Sequence, residues 1–393
     1  MERTIYAPLL VGSVQGSLND ARVKVSGEGR ILEISQGAPQ PDDLQLDGVL
    51  VPGWVNAHCH LELSHLAEVF KGNAMGMAAF LQGMLRQRNC VDETQRMAAM
   101  QLADSRMHAE GVVAVGDISN SLESLPIKKG SEIVYHTFVE VLGLNPLVAE
   151  NVLSGAQALV TAFSAWPGAS ASLAPHAPYS LSDALFDAVL SEAGTQSCTS
   201  YHLMESEDEL QFFADTSGPL RDVFEQAGLP LGSVTANHGI SPLKHFMQHW
   251  NFASSVQFVH NVFVAEREIS EAIKQIENPY WCLCPSANRF ISGRLPDIDA
   301  FRRQGARITV GTDSLASNAS LSMVQELSCI QQSYPHIPFP ELIEWATWNG
   351  ACFLGREHEL GRIELGKKPG LVLLTGINTS EPSFTQETKA VRV

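Results

Sequence analysis

Eight short apolar runs, each separated from the next by enough chain for a return crossing, constrain this sequence more than any other feature. They are Val49–Val55, Val112–Asp117, Ile133–Val141, Ala171–Pro175, Cys198–His202, Val256–His260, Tyr280–Cys284 and Arg307–Gly311. Between them, stretches such as Met75–Gln87, Thr94–His108, Asp183–Ala193 and Val264–Ile276 carry helix-forming residues with mixed faces. Strands that read as continuous apolar runs are buried on both faces, and strands alternating with helices pair in parallel. Eight such units predict an α/β fold of the (β/α)₈ TIM-barrel type.

The two ends read differently. Ala21-Arg-Val-Lys-Val25 and Ile31-Leu-Glu-Ile34 alternate, as do Gly361–Gly366 and Gly370–Leu374 near the other end. Period-two alternation between Gly and Pro signals antiparallel strands. A small β-sandwich built from both termini is expected, residues 1–50 with 355–393, around a barrel spanning 51–354.

Composition narrows the function. A net charge of −17 with no basic cluster argues against nucleic acid and anionic membranes as partners. No uninterrupted apolar stretch is long enough to span a bilayer. Met1-Glu-Arg-Thr-Ile-Tyr6 lacks the basic and apolar regions of a signal peptide, so a cytoplasmic location is expected. The seven cysteines form no CxxC pair, which fits a reducing compartment.

The chemistry gathers at strand ends. His58 and His60 lie at i and i+2 on an extended segment and so point to one side. His202 ends the fifth run, His260 the sixth, and Asp313 follows the eighth. In a barrel these positions share one face, where three imidazoles and a carboxylate suit Zn²⁺ or Fe²⁺. The fourth run ends in Leu173-Ala-Pro-His176, with neither Lys nor Glu to bridge a second ion, so one ion is expected. Glu205, three residues past His202, is placed to move protons, and His260 and Asp313 to contact the attacking water. His176, between two prolines, is a candidate for substrate binding, as are Glu62, Glu140, Asn288 and Arg289, the last through a substrate carboxylate. Glu207, Asp208 and Glu209 read as surface residues of a helix start. Histidines 65, 108, 136, 238, 245, 249, 336 and 358 read as structural or surface residues.

Taken together, Pro52-Gly-Trp-Val-Asn-Ala-His-Cys-His60, His202-x-x-Glu205, His260, Cys284-Pro-Ser-Ala-Asn288 and Gly311-Thr-Asp-Ser314 resemble the amidohydrolase superfamily. The nearest branch is its mononuclear deaminases and chlorohydrolases. The resemblance covers nearly the whole chain, including Gly361-Arg-Ile-Glu-Leu-Gly-Lys-Lys368, which in such proteins closes the small sandwich. It implies His58, His60, His202 and Asp313 as ligands of a single ion, Glu205 as proton shuttle and His260 as the residue orienting the water. His60-Leu-Glu-Leu-Ser64 is similar to the form found in aminodeoxyfutalosine deaminases. The implied reaction is hydrolytic deamination of an amino-substituted N-heterocycle, an adenine-type base on a larger small molecule. Such barrels are commonly homodimers. The alternatives are hydrolysis of a C–Cl, C–S or amide bond by the same machinery, a barrel scaffold without catalysis, and a plain metal-binding protein.

Overall fold

The computed structural model describes residues 2–67, 69–70, 75–231, 237 and 239–393. His238 therefore lies outside the described residues. In chain order the strands are β1 (Arg3–Ser13), β2 (Gly16–Val25), β3 (Ile31–Gln36), β4 (Leu44–Gln45), β5 (Val49–Pro52), β6 (Trp54–Cys59), β7 (Val112–Ser119) and β8 (Val134–Val141). Then follow β9 (Ser170–Pro175), β10 (Cys198–Leu203), β11 (Ser255–His260), β12 (Pro279–Leu283), β13 (Arg307–Val310), β14 (Leu371–Thr375) and β15 (Lys389–Arg392).

Strands β6 to β13 form the TIM barrel, as two parallel halves of four strands, β6–β9 and β10–β13. The halves meet edge to edge. On one side Thr312 and Asp313 donate their backbone N–H groups to His58 O at 3.0 and 3.1 Å. On the other, His202 N donates to His176 O at 3.0 Å and Thr199 Oγ1 to Leu173 O at 2.8 Å. Gly311 permits the first seam: a Cβ there would stand 2.7 Å from His58 Cβ and 2.8 Å from His58 O. Between the strands and the outer helices lies a continuous apolar layer that includes Trp54, Phe258, Trp281 and Phe301, all fully buried. Burying each such ring stabilises the fold by about 1.5–3 kcal/mol.

The expected first strand, Val49–Val55, is two strands. Val49–Pro52 pairs with β1 and β14 in the terminal sheet, and the chain turns at Gly53 before Trp54 opens the barrel. Space dictates the break, since a Cβ at Gly53 would lie 2.4 Å from Val113 Cγ1 and 2.7 Å from Pro369 O. Both termini join in one seven-stranded sheet, ordered β15-β14-β5-β1-β2-β3 with β4 beside β1. Ile5, Leu10, Val23, Leu50, Ile363 and Leu371 pack a separate core against it. Gly361–Gly366 forms no strand but a bridge of Ile363 to Ser13 and a hydrogen bond from Gly366 N to Ile31 O, and the last strand, β15, was not legible in the sequence. No helix among the described residues is long and apolar enough to cross a membrane.

Candidate metal centre

Alternation along β6 turns the side chains of His58 and His60 to one side of the strand and that of the buried Cys59 to the other. His60 Nε2 lies 3.1 Å from His58 Nε2 and 3.3 Å from His202 Nε2. Asp313 Oδ1 lies 3.4 Å from His60 Nε2 and 3.7 Å from His58 Nε2. A tetrahedron with metal–nitrogen arms of about 2.0–2.1 Å has edges of roughly 3.3 Å. The four separations above lie near such edges, as one shared divalent ion would require, and His58, His60 and Asp313 all place a donor atom within 4.8 Å of the others.

The electrostatics agree with that fit. Burial pushes the His58 and His202 imidazoles down to about 3, and that of His60 well below its usual value, so all three are neutral at pH 7. Neutral imidazoles offer lone pairs, which is what a cation needs. His202 Nδ1 sits 3.0 Å from His176 O, a contact that requires its proton there and leaves Nε2 free to coordinate. Asp313 Oδ2 accepts Ser317 Oγ at 2.5 Å, which aims Oδ1 at the imidazoles.

Glu205 and His260 stand beside this cluster. Glu205 Oε2 is 3.5 Å from His260 Nε2, and both side chains are buried. Burial, then the nearby Asp313, holds the Glu205 carboxyl well above the usual carboxylate range. A raised carboxyl pKa favours the form that can donate a proton. Met204, His260, Asn261 and Asp313 all have left-handed backbone, with φ of 50°, 74°, 59° and 57°. Each such non-glycine residue costs on the order of 1–3 kcal/mol, and their concentration at three strand ends marks this face as the functional one.

The other expected site residues divide. His176 is on the rim, its Nε2 3.8 Å from Glu140 Oε1 and its Nδ1 2.8 Å from Ser180 Oγ. Burial lowers its pKa to about 4. Glu140 Oε2 accepts from Asn120 Nδ2 at 2.9 Å, while Oε1 is buried, has no hydrogen-bond partner among the described residues and faces His176 and His202. An unpaired buried acceptor at the rim is suited to a substrate hydroxyl. Glu62 instead spends both oxygens on Asn120 N, Ser121 and Ser124, which secures the loop after β7. Asn288 is fully buried with its amide 3.0 Å from His260 Nδ1, so it holds the imidazole. Arg289 is not brought to the centre. Its helix, Pro285–Ser292, turns it outward, where it is exposed and donates to Ser333 Oγ at 2.7 Å. It lines a side cleft of about 1220 Å³ that none of the ligand-type residues but their neighbours, such as Ser317, border.

Glu209 is a correction to the sequence reading. Expected at the surface, it is buried, and its two oxygens accept Met204 N at 2.7 Å and Glu205 N at 2.8 Å. The Ser206 side chain caps the helix Glu207–Asp215 at Glu209 N, which curls the carboxylate back onto the strand end. Asp208, also expected at the surface, accepts Ala78 N at 3.0 Å and docks the helix Met77–Gln87. Asp117 and Lys128 were missed as well. They form a fully buried ion pair of 2.6 Å, and Asp117 Oδ1 accepts Leu61 N, one residue past His60.

The model of the amidohydrolase family matches residues 49–393. The chain belongs to the amidohydrolase family. Over 353 residues it is 28% identical to an adenosine deaminase of Helicobacter pylori, covering 87% of this chain and 81% of that one. An aminodeoxyfutalosine deaminase of Deinococcus radiodurans is 26% identical over 90% of this chain and 86% of its own length. Among solved structures, Helicobacter pylori aminofutalosine deaminase in complex with methylthio-coformycin superposes with a TM-score of 0.80 at 27% identity, over all of both chains. The amidohydrolase fold and the strand-end cluster thus belong together in this chain.

Proposed function

We propose that this amidohydrolase is a hydrolytic deaminase that releases ammonia from the adenine-type base of a nucleoside derivative such as aminodeoxyfutalosine. The observation that carries the reading is the convergence of His58, His60, His202 and Asp313 on one point, with the Glu205–His260 pair beside it. Relatives at 26–28% identity carry deaminase names, which favours this reading over C–Cl, C–S or amide hydrolysis. A scaffold or a plain metal-binding protein would have no use for a buried Glu205 set 3.5 Å from His260.

His58, His60, His202 and Asp313 would hold one divalent ion, Zn²⁺ or Fe²⁺. When bound, the ion supplies Lewis acidity that brings the pKa of water from 15.7 toward about 7. His260, its ring fixed by Asn288, orients the attacking water, and Asp313 takes its proton. Glu205 delivers its proton to the ring nitrogen next to the amine-bearing carbon, which makes that carbon electrophilic. The water oxygen bonds to that carbon, the bond to the amine then breaks, and ammonia leaves with a proton passed back through Glu205 or Asp313. His176 and the unpaired oxygen of Glu140 face the rim, where the sugar of a nucleoside would sit. Two finer parts of the proposal have separate support: a homodimer rests on the family resemblance, and a cytoplasmic location on seven free thiols.

Ammonia release from adenosine, methylthioadenosine and aminodeoxyfutalosine tests the reading. Wild type is expected to deaminate at least one, and Glu205→Gln to lose on the order of 10²–10⁴ in kcat. A fully active Gln variant would remove Glu205 from the role, and turnover of triazines or amides alone would redirect the reaction class.

A further inference from the structure

Among the buried carboxylates outside the cluster, Glu326 bridges segments that carry two residues of the site. Glu326 is fully buried on the helix Met323–Ser333, which follows the loop carrying Asp313. Its Oε2 accepts Ser286 N at 2.9 Å, in the first turn of the helix Pro285–Ser292. Its Oε1 accepts Asn318 Nδ2 at 2.7 Å, and the same amide donates to Thr312 O at 2.8 Å. One side chain thereby joins two loops that are far apart along the chain. The first brings Asn288 to His260 Nδ1. The second brings Asp313 to the imidazoles, with Ser317 on its other oxygen.

Burying a carboxylate is costly unless its oxygens are held by donors, and each oxygen of Glu326 is held by one from a different segment. We propose that Glu326 is a positioning residue for the deamination: it sets the distance between the β12 and β13 loops, and so the orientation of His260 and Asp313 toward the attacking water. Glu326 touches neither substrate nor ion and acts through Ser286–Asn288 on one side and Asn318–Thr312 on the other. The proposal rests on the deaminase reading for its kinetic consequence but not for its structural one.

The test compares zinc-loaded wild type, Glu326→Gln and Asn288→Ala by imidazole ¹⁵N–¹H NMR, zinc content, thermal unfolding and steady-state deamination. A Gln amide accepts at only one of the two contacts. Glu326→Gln is expected to keep one zinc per chain, to shift the His260 resonances as Asn288→Ala does, and to lower kcat about 10-fold with KM within twofold. The double variant should be no slower than the worse single one, because both changes act along one chain of contacts. Unchanged His260 resonances, or kcat losses that multiply, would overturn the proposal. If Glu326→Gln does not fold, Asn318→Ala breaks only the β13-loop contact. The same kcat loss at wild-type zinc content is expected there, and undiminished kcat would count against the proposal. If wild type deaminates no adenine nucleoside, the functional reading fails, whereas the His260 resonances still report on positioning.

Discussion

Glu205 and Glu209 are four residues apart and both buried, yet they serve opposite ends of one turn. Glu209 grips the amides of Met204 and Glu205, and the left-handed Met204 keeps the Glu205 side chain over the cluster. Burial raises the Glu209 carboxyl from 4.5 to about 7 against the pull of its three backbone hydrogen bonds. Folding therefore favours its protonated form. That contribution to stability is complete below about pH 4.5 and is lost as pH rises through about 7. Glu209→Gln cannot titrate, so the stability of wild type relative to the variant should fall by about 2 kcal/mol between pH 5 and pH 8. Urea unfolding of both proteins at the two pH values reads this directly; a gap that stays constant or widens would mean that Glu209 is ionised in the fold throughout.

Among elements, the ion pair of Lys128 and Asp117 joins three pieces of the barrel. Lys128 comes from the helix Leu125–Gly130, Asp117 from β7, and the carboxylate also holds Leu61 N just after β6. Lys128 Nζ donates further to Ser119 Oγ at 2.9 Å and to Thr137 Oγ1 of β8 at 3.0 Å. A buried pair with its remaining hydrogen bonds satisfied is tolerable, but removing one partner leaves a charge with no compensation. Lys128→Met should lower the unfolding free energy by about 3–5 kcal/mol, measured as an earlier denaturation midpoint. Because Leu61 is next to His60, weaker zinc retention during dialysis should accompany it. Stability within 1 kcal/mol of wild type would show that Asp117 is neutral in the fold without its lysine.

For the whole molecule, the two barrel halves are closed by a few hydrogen bonds at each seam, and the cluster spans both. His58, His60 and Asp313 lie at the β6–β13 seam, and His202 belongs to the half that begins with β10. An ion held by all four would act as a clasp across the seam. Binding to the folded state alone adds about 4 kcal/mol at a thousandfold excess over Kd. Chelation should therefore abolish ammonia release and lower Tm, and one equivalent of Zn²⁺ should restore both. A Tm indifferent to chelator would break the link between ion and fold.

Sequence by itself determined the parts that depend on local pattern. Eight apolar runs at helix-long intervals leave few architectures other than a parallel barrel, and barrel strands must end on one face, so His58, His60, His202, His260 and Asp313 were legible as a group. The split of Val49–Val55 at Gly53 was not, because only contact with Val113 and Pro369 forces it. Glu209, Glu326 and Lys128 were invisible for a related reason, and Asp117, at the end of the second apolar run, could not be matched to its lysine. A charged side chain near a helix start or on a helix reads as solvated, and nothing local shows that its partners are backbone amides or charges on other strands. Asn288 and Arg289 are adjacent in sequence, yet one is sealed against His260 and the other faces solvent. Helical rotation of about 100° per residue separates them. Which of the two faced inward was decided by how that helix docks on the barrel, a matter of packing between distant segments.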